Sequence, residues 1–241
     1  MTQATDQHLI SMSLYGDKSR YTIPALRSAA SFRRFYPGWK LVIFVDQSVP
    51  NLIVSQLEQH CTVIYVDSEA DPNGMFWRFQ AVNLPGVSTV IFRDADSDLT
   101  QRESSAVNEW LQSGLPVHIM RDHPFHDYPI LGGMFGVRNT PEVKGLLANV
   151  SSISDAYGED ISSLVEHFYR HLSDSAIFTH DEFFDYSSRS HRFPRTEALC
   201  GFVGEVAEFP SFRKFALRSI RALGLLKVRL FGRFKASDTA K

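Results

Sequence analysis

The sequence predicts an α/β fold built on a mainly parallel sheet, and three observations carry that expectation. Short apolar runs recur through the first half of the chain, helical periodicity fills the gaps between them, and most of the runs end at an aspartate. Apolar runs of strand length joined by helices form βαβ units, which build parallel sheets buried on both faces.

The runs fall at residues 8–15 (HLISMSLY), 40–46 (KLVIFVD), 62–67 (TVIYVD), 88–94 (STVIFRD) and 116–121 (PVHIMR). Between the first two, Pro24 suits the first turn of a helix, Leu26, Ala29, Ala30 and Phe32 keep its apolar spacing, and Pro37-Gly38 stops it. A second helix follows Asn51. Thr100-Gln101-Arg102-Glu103 reads as a capping box opening a helix that carries Val107, Trp110 and Leu111. Beyond residue 121 the pattern loosens into RDHPFHDYPILGGMFG, a loop with glycines at 132, 133 and 136, followed by helices expected near 141–149 and 158–171. There is no internal repeat and no low-complexity linker.

With 241 residues and 44% apolar content, the chain can bury a sizeable core. Its first residues, MTQATDQH, show neither the basic region nor the apolar run of a secretory signal, and no stretch is long enough to span a bilayer, so a cytoplasmic protein is expected. Cys61 and Cys200 have no metal-ligand spacing and form no disulfide framework. The net charge of −2 conceals an asymmetry. Nine of the 25 Lys and Arg, but only one of the 27 acids, Asp238, lie from residue 211 onward, so the body is near −10 and the tail near +8. An acidic body argues against nucleic acid as the main partner.

Residues 1–210 therefore read as the folded domain and 211–241 as a basic tail. Within 211–235, Phe212, Ala216, Ile220, Leu223, Leu226, Leu230 and Phe234 recur at intervals of three or four among eight positive charges and no acid. A helix there would be amphipathic and basic, the kind that lies in the interface of an anionic bilayer. Leu217, Leu225 and Val228 blur its polar face and Gly224 weakens it. The alternatives are a helix packed on the acidic body and a partner-binding segment.

The chemistry concentrates in VIFRDADSDLT, where Asp94, Asp96 and Asp98 alternate just beyond the fourth apolar run. Three carboxylates so close repel one another unless water, a donor or a cation compensates. In open α/β sheets ligands bind beyond the carboxyl ends of the strands, and Asp46, Asp67 and Asp122 would reach the same rim. Hard divalent cations prefer oxygen ligands, and one or two carboxylates plus substrate phosphates commonly hold Mg²⁺. A solvated turn capping the next helix accounts for the acids as well. With sixteen aspartates in the chain, one D-x-D is expected by chance, so only its place in the βαβ series carries information.

Five stretches in order, MFWRF (75–79), IFRDADS (91–97), Arg102-Glu103 with Glu109-Trp110, HIMRDHP (118–124) and PILGGMFG (129–136), resemble a group of GT-A-type glycosyltransferases of capsule and lipopolysaccharide biosynthesis. The likeness spans residues 8–205. It implies a GT-A-like, Rossmann-like sheet, a Mn²⁺ or Mg²⁺ cofactor, a nucleotide-sugar donor and a saccharide acceptor carried on lipid; the basic tail, outside that span, would by its own pattern hold such an enzyme peripherally on the inner face of the membrane.

The resemblance also implies roles. Asp96 is the metal ligand, Asp94 the ribose or bridging contact, and His180 in FTHDEF the residue that completes the metal shell. Arg78 would reach the diphosphate with its planar fork, with Arg93 and Arg121 among the substrate-binding residues, although a surface ion pair serves Arg78 equally. Gly132 and Gly133 would let backbone approach the sugar, through positive φ and the lack of a side chain, or form a plain turn. Asp160 in YGED and Asp122 are the catalytic candidates, and His123 would contact sugar hydroxyls. Asp98 departs from the pattern, which leads one to expect a basic residue. His118, His123 and His126 lack the regular spacing of zinc ligands. Two rivals remain: a nucleotidyltransferase of similar fold, which would want a glycine-rich basic loop where this chain has YGDKSRY, and a catalytically silent domain recruited to membranes.

Overall fold

A computed structural model describes residues 6–236 apart from 70, 72, 151–158, 188 and 195–200. All five expected strands form: β1 (Gln7–Leu14), β2 (Lys40–Val45), β3 (Thr62–Tyr65), β4 (Val87–Asp94) and β5 (Val117–Arg121). Two more, β6 (Met134–Arg138) and β7 (Ile177–Asp181), complete one sheet in the order β3-β2-β1-β4-β6-β5-β7. Of the strand pairings, those of β6 with β4 and β5 are antiparallel, and the rest are parallel.

Strand residues alternate between two cores, as the pleat requires. On β2, Val42 and Phe44 join the cluster under Phe79, Leu147 and Leu164, while Leu41, Ile43 and Val45 join the one under Phe32, Leu57 and Trp110. Helices cover both faces: α1 (Ser19–Phe35), α2 (Asn51–Glu58) and α4 (Gln101–Ser113) on one, and α3 (Gly74–Trp77), α5 (Pro141–Leu147) and α6 (Glu159–His167) on the other. β6 escaped the sequence reading because its glycine breaks the apolar run. A Cβ on Gly136 would lie 2.9 Å from Ile91, its register partner on β4, and 3.1 Å from Trp110, so the bare position is what lets α4 lie close to the sheet.

Two helix starts differ from expectation. α1 begins at Ser19, which leaves Pro24 inside the helix rather than in its first turn. α4 keeps half of its capping box. Thr100 Oγ1 accepts from Glu103 N (3.2 Å), but the Glu103 carboxylate turns inward to Arg93 (2.5 Å) and the Tyr36 hydroxyl (2.7 Å). A buried guanidinium attracts a carboxylate more strongly than one backbone N–H does.

The basic segment forms α7 (Ser211–Phe231), which lies on the body. Gly224 is the point of closest approach, where a Cβ would be 2.8 Å from Pro124 and 2.9 Å from Phe183; Val228 packs with Phe183 and Phe184. Phe234, the last residue of the apolar recurrence read from the sequence, lies beyond α7 and packs against that cluster. Cys200, residue 158 and residues 237–241 lie outside the described residues.

Candidate functional site

The strand order places β1 beside β4 where the chain reverses direction across the sheet, and a crevice opens at the carboxyl ends of strands on either side of such a switch. A cavity of about 500 Å³ lies there. Ser13 to Lys18 at the end of β1, Arg20 and Tyr21 at the start of α1, Asp94 to Asp96 after β4, and Arg78 line it, together with Gly132, Gly133 and Asp160.

Arg78 is its hub. The side chain is 6% exposed, and its fork donates to Asp94 Oδ1 and, at 2.7 Å, to Asp160 Oδ2. Two serines of β1 fix the backbone that carries it: Arg78 N donates to Ser13 Oγ (2.9 Å) and its carbonyl accepts from Ser11 Oγ (2.7 Å). Asp94 is half-exposed beside it. Asp96 is 12% exposed and accepts both Nε (3.2 Å) and Nη2 (2.9 Å) of Arg20.

The lining holds four aspartates, at 17, 94, 96 and 160, against Lys18, Arg20 and Arg78. Burial, and then the charge of Asp94, raise the pKa of Asp96 despite its arginine partner. Burial likewise raises that of Asp160, with Arg78 opposing. These carboxylates lack full compensation, as a site that accepts a cation requires.

Gly132 and Gly133 make the cluster possible. A Cβ on Gly132 would collide with the Asp160 carboxylate and approach Arg78 Nη2 to 2.6 Å, and one on Gly133 would collide with the carboxylate of Asp94. Neither glycine has positive φ, so the turn conformation is not the reason; the missing side chain is.

Five other candidates from the sequence stand away from this cavity. Asp122 is fully buried and accepts from Arg102 (2.7 and 3.0 Å), Arg221 (2.7 Å) and Val203 N (3.0 Å), which ties α4 and α7 together. The ring of His123 meets Leu217 O (3.0 Å) and accepts from Phe125 N (3.1 Å). Arg93 is buried on Glu103, and Arg121 on Asp181 (2.5 Å). His180 lies on β7 with its Nδ1 2.9 Å from His118 Nε2 and its Nε2 3.0 Å from Glu109 Oε2, so the structure does not bring it to Asp96. Arg93, Arg121 and His180 lie within β4, β5 and β7, and Asp122 and His123 directly follow β5; partners distant in the chain hold each of them in the interior. Asp98 pairs with Arg27 on the surface (3.0 Å). Among the described residues no group of three or more His, Cys, Asp or Glu is arranged to hold a metal ion by itself.

Sequence reasoning passed over Tyr15, Lys18, Arg20 and His126, all of which line the cavity. The signal was present, because the loop after the first strand of a βαβ series opens on the ligand edge. Gly16 has φ +73°, which turns that loop, and its N donates to Ser48 Oγ (2.6 Å).

No family model matches the chain, and no curated protein does. Solved structures do. A glucosyl-3-phosphoglycerate synthase from Mycobacterium tuberculosis, in complex with Mn²⁺, UDP and glucosyl-3-phosphoglycerate, superposes with a TM-score of 0.50 at 14% identity over 93% of this chain and 80% of its own. The fold is GT-A-like. At such identity the likeness is one of fold alone. A 4-diphosphocytidyl-2C-methyl-D-erythritol synthase from Anaerococcus prevotii matches with a TM-score of 0.47 at 11% identity, over 74% of this chain and 87% of its own. A mycobacterial protein matches with a TM-score of 0.48 at 15% identity over 73% of this chain, which spans 65% of that protein's length.

Proposed function

We propose that this protein is a metal-dependent glycosyltransferase that moves a sugar from a nucleotide-diphosphate sugar to a saccharide acceptor carried on lipid, in the synthesis of a surface polysaccharide. One observation carries the reading: Asp94, Asp96, Arg78 and Asp160 converge on one cavity at the β1/β4 switch, against two glycines whose bare backbone makes the approach possible.

The cluster suits a hard cation. Asp94 is half-exposed, Asp96 is short of compensation, and both offer oxygen only. Mn²⁺ or Mg²⁺ held by Asp96 and Asp94 would supply positive charge against the diphosphate as it leaves. Arg78, oriented by two carboxylates and two serines, gives the donor phosphates a fixed planar partner. Asp160, its pKa raised by burial, is matched to taking a proton from an acceptor hydroxyl, the role that an inverting transfer requires. Tyr15, Met75, Leu131 and Met134 give the cavity apolar walls that limit water. Asp122, His123, Arg93, Arg121 and His180 support the frame around the site.

A nucleotidyltransferase is the second reading, favoured by Lys18 at the end of the loop after β1 and Arg20 in the first turn of α1, where phosphates of a nucleoside triphosphate could rest. A thermal-shift screen of nucleotide sugars with and without Mn²⁺ tests both. A ligand at a hundred times its dissociation constant raises stability by about 2.7 kcal/mol. Stabilisation by a nucleotide sugar, followed by release of nucleoside diphosphate on adding a saccharide and its loss in Asp96→Asn, supports the transferase. Release of pyrophosphate from a nucleoside triphosphate and a sugar phosphate overturns it in favour of the second reading. Binding without turnover of either kind returns the chain to the silent membrane-recruited domain.

A further inference from the structure

We propose that the outward face of α7 is a docking surface for an anionic lipid bilayer. The inference goes beyond the transferase reading and stands without it. α7 divides its surface in two along its length, except that Phe231, the last residue, is 79% exposed on the body side. At 100° per residue, Gly224, Val228, Arg221 and Leu217 fall on one side, and these are the positions that hold the body. Phe212, Phe215, Leu223, Leu226 and Leu230 fall on the opposite side, each between 53% and 75% exposed. Five large apolar side chains in one row cost free energy in water, and nothing in the body covers them.

Charge identifies the occupant. α7 contains no acid, and the row is flanked by exposed cations on both sides, Lys227 on one and Arg229 on the other, with Arg213 beside its first turn. A basic margin around an apolar row complements lipid headgroups over acyl chains. A second copy of this face would oppose like charges. No helix of the described residues is long and apolar enough to cross a membrane, and the geometry is that of a helix lying in the surface plane.

The docked side explains how attachment would reach the cavity. Arg221 donates to Asp122, which also accepts from Val203 N; the next residue, Gly204, lines the cavity, as does His126, whose Nδ1 accepts from Asp122 N (3.2 Å). A bilayer bound by α7 is thus held in a fixed relation to the site through one buried carboxylate.

Flotation of the full chain with vesicles tests the proposal. Binding is expected to phosphatidylcholine vesicles containing phosphatidylglycerol and to be at least about tenfold weaker to phosphatidylcholine alone, since each cation near an anionic surface contributes about fivefold. Leu223→Glu with Leu226→Glu, both on the exposed side, should abolish binding and leave the melting temperature unchanged. Lys227→Glu with Arg229→Glu should weaken it at least about 25-fold, two cations at about fivefold each, and reduce its salt dependence. Asp96→Asn should bind vesicles like the parent protein, which separates this proposal from the transferase reading. Equal binding to both vesicles, or full binding by the Leu223 and Leu226 variant, overturns it. So does a parent protein that ignores vesicles but runs as a dimer that the variant splits.

Discussion

Replacing Gly133 with alanine adds one methyl carbon directly against the carboxylate of Asp94. Even the farthest of the three carboxylate atoms would be 2.7 Å from it, where ordinary contact begins at 3.4 Å. The Asp94 side chain must therefore retreat by about 1 Å or more, because Gly133 itself precedes β6 and is held by the sheet. A misplacement of about 1 Å in a reacting constellation costs about a hundredfold, or about 2.7 kcal/mol of transition-state stabilisation. Overpacking adds about 1–3 kcal/mol of lost fold stability. Gly145→Ala is the internal control: it lies in α5 with nothing within 4 Å of the new carbon and should stabilise the helix by about 0.5–1 kcal/mol. The assay is Mn²⁺ affinity by electron paramagnetic resonance and, with the donor from the thermal-shift screen, kcat/KM. Mn²⁺ affinity within twofold of the parent in Gly133→Ala would refute the placement of the cation on Asp94.

Other outcomes follow from the same geometry. Arg93→Met strands the buried Glu103 carboxylate, 2% exposed, and should cost about 3–5 kcal/mol in urea unfolding, with Glu103→Leu added in the double variant restoring most of it; a mild single variant with poor substrate binding would return Arg93 to the substrate set. His118 is fully buried, and burial, then His180, hold its pKa well below the ordinary value. The unfolded chain takes up that proton below about pH 6.5 while the native protein does not, so stability falls as pH drops from there, by about 1 kcal/mol to pH 5.5. His118→Gln should flatten that acid limb, and an unchanged slope would show that the ring titrates in the native state. Because the pKa of Asp96 is raised, protons should displace Mn²⁺ at a pH above the usual aspartate range, and calorimetric titration across pH 4 to 7 should show the affinity recovering later than an ordinary carboxylate permits.

Much of the architecture was legible because period and punctuation are local properties. The apolar runs, their helical spacers and the stop at Pro37-Gly38 each depend on a few neighbouring residues, and β1 to β5 stand where those runs place them. The D-x-D pair was legible as a strand-end feature for the same reason. β6 was not, since Gly136 erases the apolar pattern there for the sake of Ile91 and Trp110, residues distant in sequence. Pro24 was misplaced because a helix start depends on where the preceding loop meets the sheet as well as on local preference.

By itself the sequence determined the αβ alternation, the acids Asp94 and Asp96 at the end of the fourth strand, the glycine pair and the basic amphipathic segment, all set by composition and spacing, whereas Asp46, Asp67 and Asp122, expected at the same rim, do not line the cavity. Only the tertiary structure decided which polar residues share the cavity. Arg78, Asp94, Asp96 and Asp160 meet because β4 returns to the side of β1, whereas Arg93, Arg121, Asp122 and His180 are drawn into buried pairs with Glu103, Asp181, Arg102 and His118. A charged side chain beyond a strand can face ligand or core, and the choice rests on whether a partner distant in the chain stands close enough to offset its burial.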